Sequence, residues 1–226
     1  MAKSKERLDA EASHPMTPKE RLLNFWFYYK WWVLGGVVAL IMLLVFIRDV
    51  RSNVKPDYTI GLLTSYVMPE ETVQALETAI LPYANDRNGD GKTVVYLSPY
   101  SIPVNGAAPA DPMAHAANMT RLSGDIQMGD SMLFITDNVV EYQKLLELFC
   151  YNDGTEPPLE GEPDATKLGV PFAECPPLSG LDTSKASPGT FTLVKRTVAP
   201  SVLEKKQEMA GYYQDSMNLF DALTTN

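Results

Sequence analysis

The sequence predicts an α/β protein: an N-terminal transmembrane helix followed by a single three-layer α/β domain with a mainly parallel sheet. Three observations carry that expectation. Residues 31–47 form seventeen consecutive positions without a charge. The charges divide sharply near residue 55. From residue 56 onward, short β-prone runs alternate with helix-period stripes, the order of strands joined by crossover helices.

The composition is 45% hydrophobic and 21% charged, ordinary for a folded chain. Residues 1–55 carry nine Lys/Arg against five acids, while residues 56–226 carry ten against twenty-three. A split of that kind marks two environments. It also argues against nucleic acid as a partner, because the acidic part would repel phosphates.

The run WWVLGGVVALIMLLVFI at 31–47 spans about 26 Å as a helix, against a hydrocarbon core of about 30 Å. FWFYYKWW at 25–32 places an aromatic belt at its N-terminal end. Arg48-Asp49-Val50-Arg51 follows the run with no small-x-small cleavage site, so an uncleaved anchor is expected. Orientation comes from the flanking cations. Lys3, Lys5, Arg7, Lys19, Arg21 and Lys30 precede the span, and Arg48, Arg51 and Lys55 follow it. That bias of six to three places the N-terminus in the cytoplasm and the C-terminal domain outside it. The expected organisation is a cytoplasmic tail with a juxtamembrane helix at 1–30, a transmembrane helix at 31–48 and an extracytoplasmic domain at 56–226. Thr17-Pro18-Lys19-Glu20 is a helix start, with Thr17 as N-cap and Pro18 at the first helical position. The stretch it opens is either a separate interfacial helix or the first turns of the anchor itself.

In the outer domain, 57–64 (DYTIGLLT) reads as a strand. Pro69-Glu70-Glu71 opens a helix whose stripe is Val73, Leu76, Ile80 and Tyr83. A second strand is expected at 92–97. Asp111-Pro112 opens a helix to about residue 123, and a third strand follows at 131–136. Asn138-x-x-Glu141 is a capping box before Val139, Tyr142, Leu146 and Phe149 at helical spacing. A fourth strand is expected at 190–197, and Ser201-x-x-Glu204 caps a last helix with Ala210, Tyr213, Met217 and Phe220 on one face. Residues 101–110 and the acidic, Pro-rich 152–166 read as loops.

Chemistry-bearing motifs are few. Asp86, Asn88 and Asp90 in DRNGDGK have the alternating oxygens and sixth-position glycine of a calcium loop, so Ca²⁺ is a candidate ligand. The twelfth position, which should carry an acid, is Leu97, and the same residues also suit a simple turn. Cys150 and Cys175 are the two cysteines; bonded, they would close a loop of about 25 residues with about 3 kcal/mol of stabilisation. Buried thiols are the alternative. His115 is the domain's one histidine, and His14 lies in the tail, which makes a zinc site improbable. No nucleophile elbow or phosphate loop is present, so no catalytic residue is assigned and no enzymatic activity is expected. Asn118-Met119-Thr120 matches a glycosylation sequon, and Gly35 with Ala39 forms a small-x-x-x-small pair in the anchor.

PKERLLNFWFYYKWWVLGG followed by KPDYTIGLLT resembles small single-pass membrane proteins of Gram-positive, Firmicutes-type bacteria. That resemblance implies location and source rather than an activity. Residues 57–149, including DRNGDGK and LSGDIQMGDSMLFITD, more faintly resemble one lobe of an extracellular solute-binding protein. In such a lobe ligands sit at the carboxyl ends of the strands, which implies Thr64, Ser65, Tyr100, Ser101 and Asp137 as ligand-binding residues. The chain departs from that family in supplying only one lobe and in lacking a lipoprotein cysteine. The expected function is therefore a membrane-anchored interaction or accessory domain, with the lipid bilayer and a cell-surface protein as partners. The alternative is a binder or sensor of a small ligand.

Overall fold

A computed structural model describes residues 17–52, 55–158, 161–181, 191–205 and 207–225. Expectations for 1–16, including His14, and for Thr190 fall outside these residues. The chain divides into two compact units, Met1–Val54 and Lys55–Asn226.

In the first unit, helix α1 (Pro18–Ser52) runs for 35 residues. Its start is where the sequence places it, with Pro18 first and the Arg21 N–H donating to the Thr17 carbonyl at 3.0 Å. The helix continues unbroken into the apolar run, so 18–30 is the opening of the same helix and not a separate one. Its stretch Phe25–Phe46, 22 residues of mean hydropathy 2.0 and unburied, is long and apolar enough to cross a membrane.

The second unit is mixed α/β with a mainly parallel central sheet. Strand β1 (Tyr58–Thr64) leads to α2 (Glu70–Ile80), a 3-10 turn (Leu81–Tyr83) and β2 (Val95–Ser101). Helix α3 (Pro112–Met128), β3 (Ser131–Thr136) and α4 (Val139–Leu146) follow. The short strands β4 (Phe149–Cys150) and β5 (Val170–Pro171) precede β6 (Thr192–Arg196), then α5 (Pro200–Lys205) and α6 (Gln207–Thr224). The sheet order is β2-β1-β3-β6-β4, with β5 also on β6. β1 is parallel to both β2 and β3, while β6 is antiparallel to β3, β4 and β5.

Several boundaries differ from the sequence expectation, each for a physical reason. Strand β2 starts at Val95, later than 92, and runs through Pro99 to Ser101. It is an edge strand, where a residue without an N–H can face outward. Helix α3 passes Gly124 and ends only at Gly129, whose φ of 79° supplies the left-handed C-cap. Helix α4 stops at Leu146, and Phe149 belongs to β4, where pairing to Arg196 takes it out of the helix. Ser201 is not an N-cap, because α5 already begins at Pro200. In α6 the buried stripe is Ser216, Leu219, Phe220 and Leu223, so of the expected face only Phe220 is fully buried.

Alternation along the strands splits the core in two. Tyr58, Ile60, Leu62, Leu97, Leu133, Ile135 and Leu193 pack with Leu76 and Ile80 of α2 and with Leu219, Phe220 and Leu223 of α6. Leu63, Tyr100, Phe134 and Val194 pack with Leu122 of α3 and Tyr142 of α4. Neighbouring strand residues point to opposite faces and both faces are covered, so β1 and β3 read as near-continuous apolar runs. Gly61 lies at the tightest point of this packing. A Cβ there would sit 2.3 Å from two ring carbons of Phe134. We expect Gly61→Ala to lower unfolding stability by about 1–3 kcal/mol in denaturant titration, with partial recovery when Phe134→Leu is added.

Candidate functional site

Two ends of the parallel strands bring polar groups together. At the amino end, Asp57 precedes β1 and is 2% exposed. Its Oδ1 accepts from the N–H groups of Arg87 and Asn88 at 2.8 and 3.0 Å, and its Oδ2 accepts from Val94 N–H at 2.9 Å. Arg87 returns from that loop: its Nη1 donates to the Asp57 carbonyl at 3.0 Å and its Nε to Asp215 Oδ2 of α6 at 3.0 Å. The guanidinium also lies 4.4 Å from the ring centroid of Tyr212. Tyr58, whose hydroxyl donates to Asn85 Oδ1, has its pKa pushed up to about 12, first by burial and then by the charge of Asp215.

This network explains DRNGDGK. Asp86 accepts from the N–H groups of Gly89 and Gly91 at 2.7 and 2.8 Å. Asn88 Oδ1 takes the Asp90 N–H at 2.8 Å, and Asp90 Oδ1 takes the Lys92 N–H at 2.8 Å. The oxygens that the sequence offers to Ca²⁺ thus accept from the loop's own backbone, which is turn chemistry. Among the described residues, no group of three or more His, Cys, Asp or Glu is placed to hold a metal ion.

At the carboxyl end, three of the five residues implied by the solute-binding resemblance meet. Order β2-β1-β3 places the topological switch point between β1 and β3, where ligands of open α/β sheets bind. There Ser65 N–H donates to Asp137 Oδ2 at 2.9 Å, next to Thr64, whose hydroxyl donates to the Tyr66 carbonyl at 2.7 Å. Asp137 Oδ1 is buried and, among the described residues, meets no hydrogen-bond partner. Burial raises the Asp137 pKa, against the lowering effect of the Ser65 hydrogen bonds. Tyr142 stands in the same group, fully buried, its hydroxyl donating to the Ile102 carbonyl at 2.7 Å. Burial raises its pKa and the Asp137 charge adds to the shift.

Tyr100 and Ser101 are placed differently. Tyr100 is buried under α3, with its hydroxyl on Asp125 and the Arg121 guanidinium 4.6 Å from its ring centroid. The Ser101 carbonyl accepts from Asn118 Nδ2 at 3.2 Å. That contact is one of three that close the outer edge of β2. Glu77 Oε1 takes the Leu97 N–H at 2.9 Å, and Arg121 Nη2 donates to the Pro99 carbonyl. The sequon asparagine is therefore an edge cap on a helix.

Cys150 and Cys175 are free, buried thiols and not a disulfide. Cys150 lies near the Lys195 carbonyl and Cys175 near that of Val170; burial raises both, Cys175 to about 11. His115 lies in the first turn of α3, with Nδ1 buried and without a hydrogen-bond partner among the described residues.

A groove of about 900 Å³ that no sequence motif marks lies at the amino ends of the strands. Thr59, Tyr96 and Ser98 line it from the sheet, Asp125, Met128, Gly129 and Asp130 from the end of α3 and just beyond it, and Glu208, Met209 and Tyr212 from α6. Two of its walls, 153 positions apart in the chain, are joined by the Tyr212 hydroxyl, which accepts from Thr59 N–H at 3.1 Å. Only the alternation of Tyr96 and Ser98 in β2 hinted at it. Comparison with protein-family models, curated proteins and solved structures finds no match to this chain.

Two outcomes follow for these side chains. Asp57→Asn replaces one accepting oxygen by a donor that faces a backbone N–H, so it should cost about 1–3 kcal/mol in denaturant titration. For Asp137 the folded pKa lies above the unfolded one, so the folded state binds the extra proton and the wild type loses stability as pH rises through this interval. Asp137→Asn removes that loss. Its melting temperature relative to wild type should therefore be more favourable at pH 7 than at pH 4.

Proposed function

We propose that this protein is a single-pass membrane protein whose anchor holds a three-layer α/β recognition domain outside the cytoplasm, binding a partner protein and not catalysing a reaction. The observation that carries this reading is the unburied apolar stretch Phe25–Phe46 joined to a separate compact unit from Lys55 onward. A stretch of 22 residues rises about 33 Å, enough for a bilayer core with some tilt. Trp26, Trp31 and Trp32 are exposed near its N-terminal end, as side chains that settle at a membrane interface are. Flanking cations favour the N-terminal side as cytoplasmic. In the domain, helices α2 and α6 share one core with the sheet and α3 and α4 share the other, which supports the three layers.

A second reading, capture of a small ligand at the switch point, is favoured by one observation: the buried, unpartnered Oδ1 of Asp137 beside Ser65. A ligand with a hydrogen-bond donor would satisfy that oxygen. The domain would then act as a cell-surface binder, with a membrane partner needed for any output.

Protease added to intact cells should remove residues 56–226 and leave the anchor fragment; an intact C-terminal domain would overturn the orientation. A thermal-shift screen of the full chain in detergent against sugars, peptides and Ca²⁺ separates the two readings. A flat response to every small solute is expected for protein recognition, and stabilisation by one solute that Asp137→Ala abolishes would instead establish the ligand reading.

A further inference from the structure

The sequence contains two Asn-Gly pairs, Asn88-Gly89 and Asn105-Gly106, and the fold treats them in opposite ways. Asparagine is a chemically labile residue, and a following glycine exposes it most, because no Cβ shields the backbone nitrogen that attacks the side-chain Cγ. All four residues are exposed, and a Cβ built on either glycine would meet nothing within 4 Å. Access therefore does not separate the two pairs, but hydrogen bonding does.

Around Asn88, each group that the reaction must move is held. Its Nδ2 donates to the Lys55 carbonyl at 3.2 Å, and its Oδ1 accepts from Asp90 N–H at 2.8 Å. Its own N–H donates to Asp57 Oδ1 at 3.0 Å. The attacking nitrogen would be that of Gly89, whose N–H donates to Asp86 Oδ1 at 2.7 Å. A carboxylate at that distance opposes loss of the proton.

Asn105 is the reverse case. It and Gly106 are the central residues of a turn closed by one bond, from Ala107 N–H to the Val104 carbonyl at 3.2 Å. Their φ values of 60° and 71° make it a type I′ turn. Among the described residues, neither the Asn105 side-chain amide nor the Gly106 N–H makes a hydrogen bond. The turn also adjoins the core. Ile102 and Val104 are 0% and 9% exposed and pack with Leu122 and Tyr142, and the Ile102 carbonyl accepts the Tyr142 hydroxyl at 2.7 Å.

We propose that Asn105 is a site of spontaneous deamidation in the folded protein, and that the hydrogen bonds around Asn88 protect the other pair. The Gly106 nitrogen loses its proton and bonds to Asn105 Cγ; the Cγ–Nδ2 bond breaks, and ammonia leaves with that proton. Water then adds to either carbonyl of the succinimide ring, giving aspartate or isoaspartate and, on ionisation, a new negative charge. No electrons are transferred, and water is the sole co-reactant. The isoaspartyl product routes the backbone through the former side chain, lengthening the link between buried Val104 and the start of α3. This chemistry goes beyond the recognition role proposed above and holds whichever partner the domain binds.

The test is peptide mapping by mass spectrometry of the full chain in detergent, incubated at mildly alkaline pH with and without denaturant. In the folded protein Asn105 should convert about tenfold or more faster than Asn88, the rate ratio that one or two hydrogen bonds represent. In denaturant the two rates should converge, because both pairs then lie in an open chain. Equal or faster conversion of Asn88 in the folded protein would overturn the proposal. So would a rate ratio that persists unchanged in denaturant, or an Asn105 that stays intact when folded over the time in which the denatured chain converts.

Discussion

Both oxygens of the buried Asp57 carboxylate are taken by backbone N–H groups from Arg87, Asn88 and Val94, which lie outside any strand or helix. Without that carboxylate the three donors would be left unsatisfied at a cost each of about 1–3 kcal/mol. The same contact sets where β2 can begin, because it fixes Val94 beside the start of β1, where its carbonyl accepts from the Asp57 N–H at 2.8 Å. It also aims Arg87 at Asp215 and the Tyr212 ring, and so docks α6 against the amino end of the sheet. The DRNGDGK turn, the parallel β1–β2 pairing and the position of the last helix all depend on this one residue.

The parallel strands β1 and β3 are apolar on both faces, so their polar residues are pushed to the strand ends, and the two ends have become chemically different. At the carboxyl end the polar groups are few and mostly satisfied within the fold, while among the described residues Asp137 Oδ1 has no hydrogen-bond partner. At the amino end the acids Asp130 and Glu208 stand open to solvent beside exposed apolar side chains. A closed, partly desolvated end favours holding a small group. The side edge of the sheet at β2 is sealed by side chains, which protects the domain from pairing with other strands.

Much of the fold was legible because its signals are local. Thr17-Pro18 starts α1, Asp111-Pro112 starts α3 and Asn138 caps α4, since each depends on groups within one turn of chain. Misreadings occurred where a distant partner decided. Phe149 keeps helical spacing, yet pairing with Arg196 makes it a strand residue. The face of α6 turned from Tyr213 to Tyr212 because the Tyr212 hydroxyl reaches Thr59, and no periodicity encodes that hydrogen bond. Of the residues implied by the solute-binding resemblance, Thr64, Ser65 and Asp137 come together at the carboxyl ends of β1 and β3, the position to which the general rule for strand ends points. Tyr100 shares their strand-end position in sequence, but its side chain turned under α3.

By itself the sequence determined a long apolar helix at the N-terminus, the separation of charge and an alternating α/β domain. Each is fixed by composition and by the period of neighbouring residues. Only the tertiary structure decided that β6 enters antiparallel, that the two cysteines stay apart as thiols, and that Asp57 is the anchor of the amino end. It alone also brought Tyr96, Asp130 and Glu208 around one groove. Such contacts join residues tens to more than a hundred positions apart, and their energies depend on geometry that no local pattern carries.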